Sequence, residues 1–145
     1  MKDSLGDMVI GLHHVAIAVP SIEEARRIYV AGLGLREGEV EHVPDQKVNV
    51  LICHGGDQRI ELVEPAAEDS PITKFLARTG GGLHHVAWQV ADLEAALAHV
   101  KAQGFDLIHE EPRPGAHGMR IAFLHPRSTG GVLTELVEVP ASAAH

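Results

Sequence analysis

The stretch Gly11–Val19 reads GLHHVAIAV, and the stretch Gly82–Val90 reads GLHHVAWQV. Seven of the nine residues are identical, at an offset of 82 − 11 = 71. Beyond these, Glu23 and Ala25 continue the match in Glu94 and Ala96. A second echo lies further on. IELVEP from Ile60 resembles TELVEVP from Thr134, and it pairs Glu61 with Glu135 at an offset of 74. Self-similarity at a fixed period is one supersecondary unit written twice. A chain of 145 residues has the length of one ordinary domain. We therefore expect a single domain over 1–145, with module one at about 10–68 and module two at about 82–139.

Each half carries the same local signals in the same order. HHVAIAV is rich in β-branched residues and short enough for a strand. Ser21 with Glu24 makes a capping box, and a helical run follows to Gly32 and Gly34. In the second half Asp92 caps LEAALAHVKAQ, which stops at Gly104. Three strand-like runs follow each helix. They lie near Leu35–Val43, Lys47–Cys53 and Gln58–Val63, then near Asp106–Glu110, Arg120–Leu124 and Val132–Val137. Each module reads as β-α-β-β-β. Between them Ser70, Pro71 and the glycines 80–82 bound a linker helix at about 70–79. The expected class is α+β: two tandem modules forming a curved mixed sheet around a metal-containing cleft.

The cleft follows from alternation. Along a strand, side chains point to opposite faces. His13, Val15, Ile17 and Val19 share one face, and His14, Ala16 and Ala18 share the other. In the second copy His84, Val86, Trp88 and Val90 oppose His85, Ala87 and Gln89. The bulky face suits packing against a helix, and the small face leaves room in front of His14 and His85. Glu61 and Glu135 stand mid-strand among apolar neighbours, where a carboxylate is costly to bury alone. Glu64 and Glu138 sit nearer the strand ends and are expected to reach water. Each module thus offers one inward histidine and one inward glutamate. A pseudo-twofold would bring His14, Glu61, His85 and Glu135 to one point. Two imidazoles and two carboxylates suit a borderline-to-hard divalent ion such as cobalt, manganese, nickel, zinc or iron. A lone strand histidine is usually structural; recurrence of both residue types in both repeats favours a metal. His117, in the loop GAHG, is either a ligand contact or simply exposed. His125, before Pro126, reads as structural.

Charge narrows the partners. Twenty acidic residues against twelve basic ones give a formal net charge of −8, the opposite of a nucleic-acid footprint. Cys53 is the single cysteine, which suits a reducing, cytoplasmic setting. MKDSLGDM lacks the apolar core of a signal peptide, and no apolar run reaches membrane-spanning length. Broad sheet surfaces in a small chain are most often buried by twofold pairing, so a homodimer is expected.

Together these residues resemble the vicinal oxygen chelate metalloenzymes, the superfamily of glyoxalase I and the extradiol dioxygenases. Within it the chain is most similar to the methylmalonyl-CoA epimerase family. The phrases that carry this are LHHVAIAVPSIEEA, DSPITKFLARTGGGLHHVAWQV, EEPRPGAHGMRIAFLHP and GGVLTELVE. The resemblance spans about residues 9–139. It implies metal ligation by His14, His85 and Glu135, with Glu61 at the fourth-ligand place, and cobalt as the usual ion. It implies interconversion of (2R)- and (2S)-methylmalonyl-CoA through proton abstraction at C2 and a metal-stabilised enolate, with Glu135 and Glu61 as candidate bases. Several members carry a further glutamate where this chain has Val50. The substrate would be an acyl-CoA thioester, whose polyanionic tail could meet Lys47, Lys74, Arg113, Arg120 or Arg127. A glyoxalase-type isomerase, like lactoylglutathione lyase, would use the same four ligands. A metal-free binding or resistance protein of the same fold would not need them.

Overall fold

The structure is a computed structural model that describes residues 4–141. Its elements run α1 Leu5–Met8, β1 Val9–Ala18, α2 Ile22–Arg26, β2 Arg36–Glu37, β3 Glu41–Val43, β4 Val48–Gly55, β5 Gln58–Pro65, α3 Pro71–Thr79, β6 Gly82–Val90, α4 Leu93–Ala102, β7 Arg113–Pro114, β8 Arg120–Leu124 and β9 Thr134–Glu138. Helices and the strands of a mixed sheet combine in an α+β arrangement. No helix among the described residues is long and apolar enough to cross a membrane.

Residues His14–His84 form one compact unit. In it β1 runs parallel to β5, β5 antiparallel to β4, and β2 and β3 both lie antiparallel along the outer edge of β4. The Glu24 N–H donates to Ser21 Oγ at 3.3 Å, which starts α2 as its capping box predicts. Beyond Arg26 the helix widens into a π-helical turn over Arg27–Gly32. The helix layer packs on Val19, Leu51, Cys53 and Leu62, with Ile17 and Ile60 alongside. Burying each large aliphatic side chain of this kind contributes about 1.5–3 kcal/mol. The single strand expected near Leu35–Val43 is corrected to two, β2 and β3, separated near Gly38, whose N–H donates to Ile52 O. In α3 the Ile72 N–H donates to Ser70 Oγ, Pro71 occupies the first turn, and Gly80 closes the helix at φ 80°.

The described residues up to His13 and those from His85 onward form the second unit. In it β6 runs parallel to β9, and β9, β8 and β7 are antiparallel in that order. Asp92 caps α4 by accepting from the Ala95 N–H at 3.0 Å. Leu93, Ala96, Leu97 and Val100 of that helix pack on Val90, Ala122, Leu124 and Leu136. Leu5, Met8 and Val9 pack against this cluster, so that segment belongs with the core of module two. No periodicity in those residues signals it.

The strand expected at Asp106–Glu110 is corrected. Leu107 makes a single bridge to Leu124. The Asp106 N–H and carboxylate turn instead to Ser128 Oγ and Arg127 Nε. Pro112 and Pro114, which lack an N–H, limit the ladder that follows to the two residues of β7.

Candidate metal centre

Register places the candidate ligands. Ala16 stands opposite Glu61 on β5, so Glu61 faces the same way as Ala16, Ala18 and His14. Ile17 and Val19, one residue out of step, face α2. The two histidines of the pair HH therefore divide: His14 belongs to the face away from the helix layer. Its burial is nearly complete at 2% exposure, and Glu61 is 7% exposed. His14 Nε2 lies 3.4 Å from Glu61 Oε2.

The second unit repeats this arrangement independently. Ala87 stands opposite Glu135, which aligns His85 with Glu135 on one face. His85 Nε2 lies 3.2 Å from Glu135 Oε1, and both side chains are buried. Phe123, opposite Glu135 on β8, meets the His85 ring edge-on at 5.0 Å between centroids. That contact fixes the imidazole's orientation. Two donors that each bind one ion at about 2.1 Å stand roughly 3.0–3.4 Å apart at ordinary coordination angles. Each His–Glu pair has that spacing. A nitrogen with a carboxylate oxygen is also the donor chemistry a divalent first-row ion accepts.

The remaining members of the histidine pairs have other surroundings. His13 is buried, and His84 meets Phe75 of α3 edge-on at 4.8 Å. His125 Nδ1 accepts from the Arg127 N–H at 3.1 Å and is structural. His117 is exposed and sits in the left-handed region at φ 56°. Val50 is buried on the face of Glu61, through its pairing with Val63. Burial pushes the Cys53 thiol up, and Glu37 adds to the effect, which makes it a poor nucleophile.

Glu64 and Glu138 do not simply reach water, as their strand-end positions had suggested. Glu64 Oε1 accepts from the Ile22 N–H at 2.7 Å, and Glu138 Oε2 accepts from the Leu93 N–H at 2.9 Å. Each carboxylate thus holds the first turn of its own module's helix, three residues after the candidate ligand. An anion there meets both unsatisfied N–H groups and the positive end of the helix. Asn49 Nδ2 donates to Glu64 at 2.9 Å, and Arg120 donates to Glu138 at 2.8 Å. A half-buried charged hydrogen bond of this kind is worth about 1.5–3 kcal/mol. Glu64 and Glu138 recur at the same spacing as Glu61 and Glu135, which marks them as equivalent residues, but their helix partners lie 42 and 45 residues away in the chain.

Several cations are already ion-paired within their modules. Lys47 pairs with Asp69, Arg127 with Asp106, and Arg120 with both Glu94 and Glu138. The Arg120 guanidinium holds the Glu94 carboxyl below its usual range. The acidic group Asp92, Glu94 and Glu138 is accounted for by Arg120 and the start of α4.

Comparison with known proteins gives a consistent result. Residues 13–123 match the family model described as Glyoxalase/Bleomycin resistance protein/Dioxygenase superfamily. The chain is 41% identical over 126 residues to the mitochondrial methylmalonyl-CoA epimerase of Bos taurus, covering 86% of this chain and 72% of that one. Its fold matches the crystal structure of methylmalonyl-CoA epimerase from Mycobacterium tuberculosis with a TM-score of 0.88 and 37% identity, over 97% and 93% of the two chains. A variant of the Streptomyces coelicolor methylmalonyl-CoA epimerase in complex with 2-nitronate-propionyl-CoA matches with a TM-score of 0.87 and 34% identity, over 94% and 99%.

Proposed function

Because the chain belongs to the methylmalonyl-CoA epimerase family of the glyoxalase/bleomycin resistance protein/dioxygenase superfamily, we propose that it is a metal-dependent epimerase interconverting (2R)- and (2S)-methylmalonyl-CoA. The observation that carries the reading is the duplicated buried His–Glu pair, His14 with Glu61 and His85 with Glu135. In this reading all four side chains hold one divalent ion, with cobalt preferred and manganese, nickel or zinc as alternatives. The ion would supply Lewis acidity to the thioester oxygen, favouring the charge that develops as the C2–H bond breaks. The protein's own tasks are then to orient the thioester, exclude water, and move one proton. The C2 hydrogen is acidified by the thioester and the free carboxylate that flank it. Glu135 is the first candidate to accept it, and Glu61 chiefly holds the ion. A carboxylate that ligates is a weak base, so Glu135 acts through its second oxygen or a shared water. The buried, apolar setting of Ala16, Ala87, Val63 and Val137 favours such a transfer by keeping competing water away.

Incubating the metal-loaded protein with one enantiomer of methylmalonyl-CoA in deuterated water tests this directly. Deuterium should appear at C2, and the opposite enantiomer should accumulate. A protein that binds the thioester without exchanging the C2 proton would be a binding protein. One that acts only on a glutathione hemithioacetal would be a glyoxalase-type isomerase.

The proposed partner set is the acyl-CoA thioester and a second copy of the chain, in the cytoplasm; the single, buried Cys53 supports a reducing location. Ile10 and Leu12, 64% and 45% exposed at the start of β1, offer an apolar strip for the homodimer. Light scattering at micromolar concentration should return about 31 kDa, twice the chain's 15.5 kDa. A value of one chain mass would remove the dimer.

A further inference from the structure

The segment after Asp106 closes on one residue of β8 instead of forming a ladder. The Ile108 and His109 N–H groups both donate to Phe123 O, at 2.9 and 3.3 Å. The Phe123 N–H donates to His109 Nδ1 at 3.1 Å. Both backbone polar groups of Phe123 are therefore satisfied from this segment. With Nδ1 accepting, the His109 imidazole is neutral and carries its proton on Nε2. The His109 ring also lies against the Phe123 ring, 5.8 Å between centroids and tilted by 59°. The Phe123 ring in turn meets His85 edge-on, at 5.0 Å and 89°, and His85 Nε2 stands 3.2 Å from Glu135 Oε1. Three rings and a carboxylate thus form one chain of contacts inside the second unit. Phe123 and Glu135 are register partners on β8 and β9, so the chain lies along the face that carries the candidate ligands.

The first module has the same backbone contact without the rings. There the Gly38 N–H donates to Ile52 O at 2.9 Å, and Ile52 stands opposite Glu61. Gly38 and Ile52 precede His109 and Phe123 by the repeat offset of 71. Glycine and isoleucine hold the two places in one copy, histidine and phenylalanine in the other. The duplication therefore supplies its own comparison: the hydrogen bond belongs to the module, and the ring pair belongs to module two.

We propose that His109 is a positioning residue. By clamping Phe123 it fixes the plane of the His85 imidazole, and with it the direction in which Nε2 meets the ion. This rests on the metal reading above. An imidazole nitrogen donates in the plane of its ring, and the torsion that turns that plane has a broad minimum. An edge-on aromatic neighbour narrows it, but only if the neighbour is itself held. His109 holds it twice, through the Phe123 N–H and through the ring. The device stands in the module that carries Glu135, the proposed base. For a group that moves a proton, a misplacement of about 1 Å costs about a hundredfold in rate.

The test is His109→Ala, with His109→Asn as the conservative variant. Asparagine keeps an acceptor where Nδ1 stands and so keeps the clamp on the Phe123 N–H. The first readout is the set of His85 ring resonances in the metal-free protein, assigned by their loss in His85→Ala. They should move in His109→Ala and stay near their wild-type positions in His109→Asn. The second readout is cobalt affinity without substrate. It should fall about tenfold or more in His109→Ala, as for other groups that orient a metal-binding histidine, and hold in His109→Asn. Phe123→Ile, the module-one side chain, should weaken cobalt as well and leaves His109 in place. A purely structural role would lower the unfolding temperature without separating the two His109 variants in either readout. Unmoved His85 resonances in His109→Ala would overturn the proposal, and so would moved resonances with unchanged cobalt affinity. A wild-type protein that takes up no cobalt would end the metal reading before any variant is made, and this inference with it.

Discussion

Stripping the protein of divalent metal, or changing His85 to Ala, is expected to reduce C2 proton exchange to the uncatalysed background. Lewis-acid stabilisation of the developing enolate is worth several kcal/mol, which is about a thousandfold or more in rate. Adding metal back should restore the stripped wild-type protein but not His85→Ala. The ligand set has a second readout that needs no substrate. A ligand bound only by the folded state raises stability, by about 2.7 kcal/mol at a hundred times its dissociation constant. Cobalt should therefore raise the unfolding temperature of the wild-type protein and raise it less in His14→Ala and in His85→Ala. This comparison separates two arrangements. If the ion needs both modules, either substitution should lower metal content. If the pair His85 and Glu135 held it alone, His14→Ala would retain stoichiometric metal, and the four-residue site would be wrong.

What the sequence made legible follows from what repeats. Histidine and glutamate at matched offsets could be assigned to strands and to faces, because a strand has a period of two and a duplication removes coincidence. The registers Ala16 with Glu61 and Ala87 with Glu135 are the structural form of that reasoning. Caps at Ser21, Ser70 and Asp92 were legible for a different reason: their chemistry is local, within three residues. The misses were non-local. Nothing near Asp106 shows that its N–H will prefer Ser128 Oγ to a neighbouring strand. Nothing near Glu64 shows that Ile22, far away in the chain, will present an unsatisfied N–H to it. The place of Leu5 and Met8 in the core of module two is likewise set by tertiary packing.

Glu135 carries two proposed duties, and Glu135→Gln should separate them. The substitution keeps the size of the side chain and a carbonyl oxygen that can still face a metal. It removes the negative charge and the basicity. Within the module the side chain has His85 Nε2 at 3.2 Å and is buried, so the amide fills the same space with little repacking. If Glu135 only holds the ion, the variant should bind metal more weakly, and excess metal should return full turnover. If it also accepts the C2 proton, turnover should stay about 10²–10⁴-fold low with the site saturated, the usual cost of losing a positioned base. The expected result is the second. Glu61→Gln is the matched comparison, because Glu61 has the same burial and the same kind of histidine neighbour, at 3.4 Å. Its role is ligation, which an amide oxygen can still provide, so its turnover should recover with added metal. The pairing of the two variants removes scaffold damage as an explanation, since both replace one buried carboxylate by its amide on equivalent strands. An inactive, metal-loaded Glu61→Gln beside a nearly normal Glu135→Gln would reverse the assignment and move the base to module one.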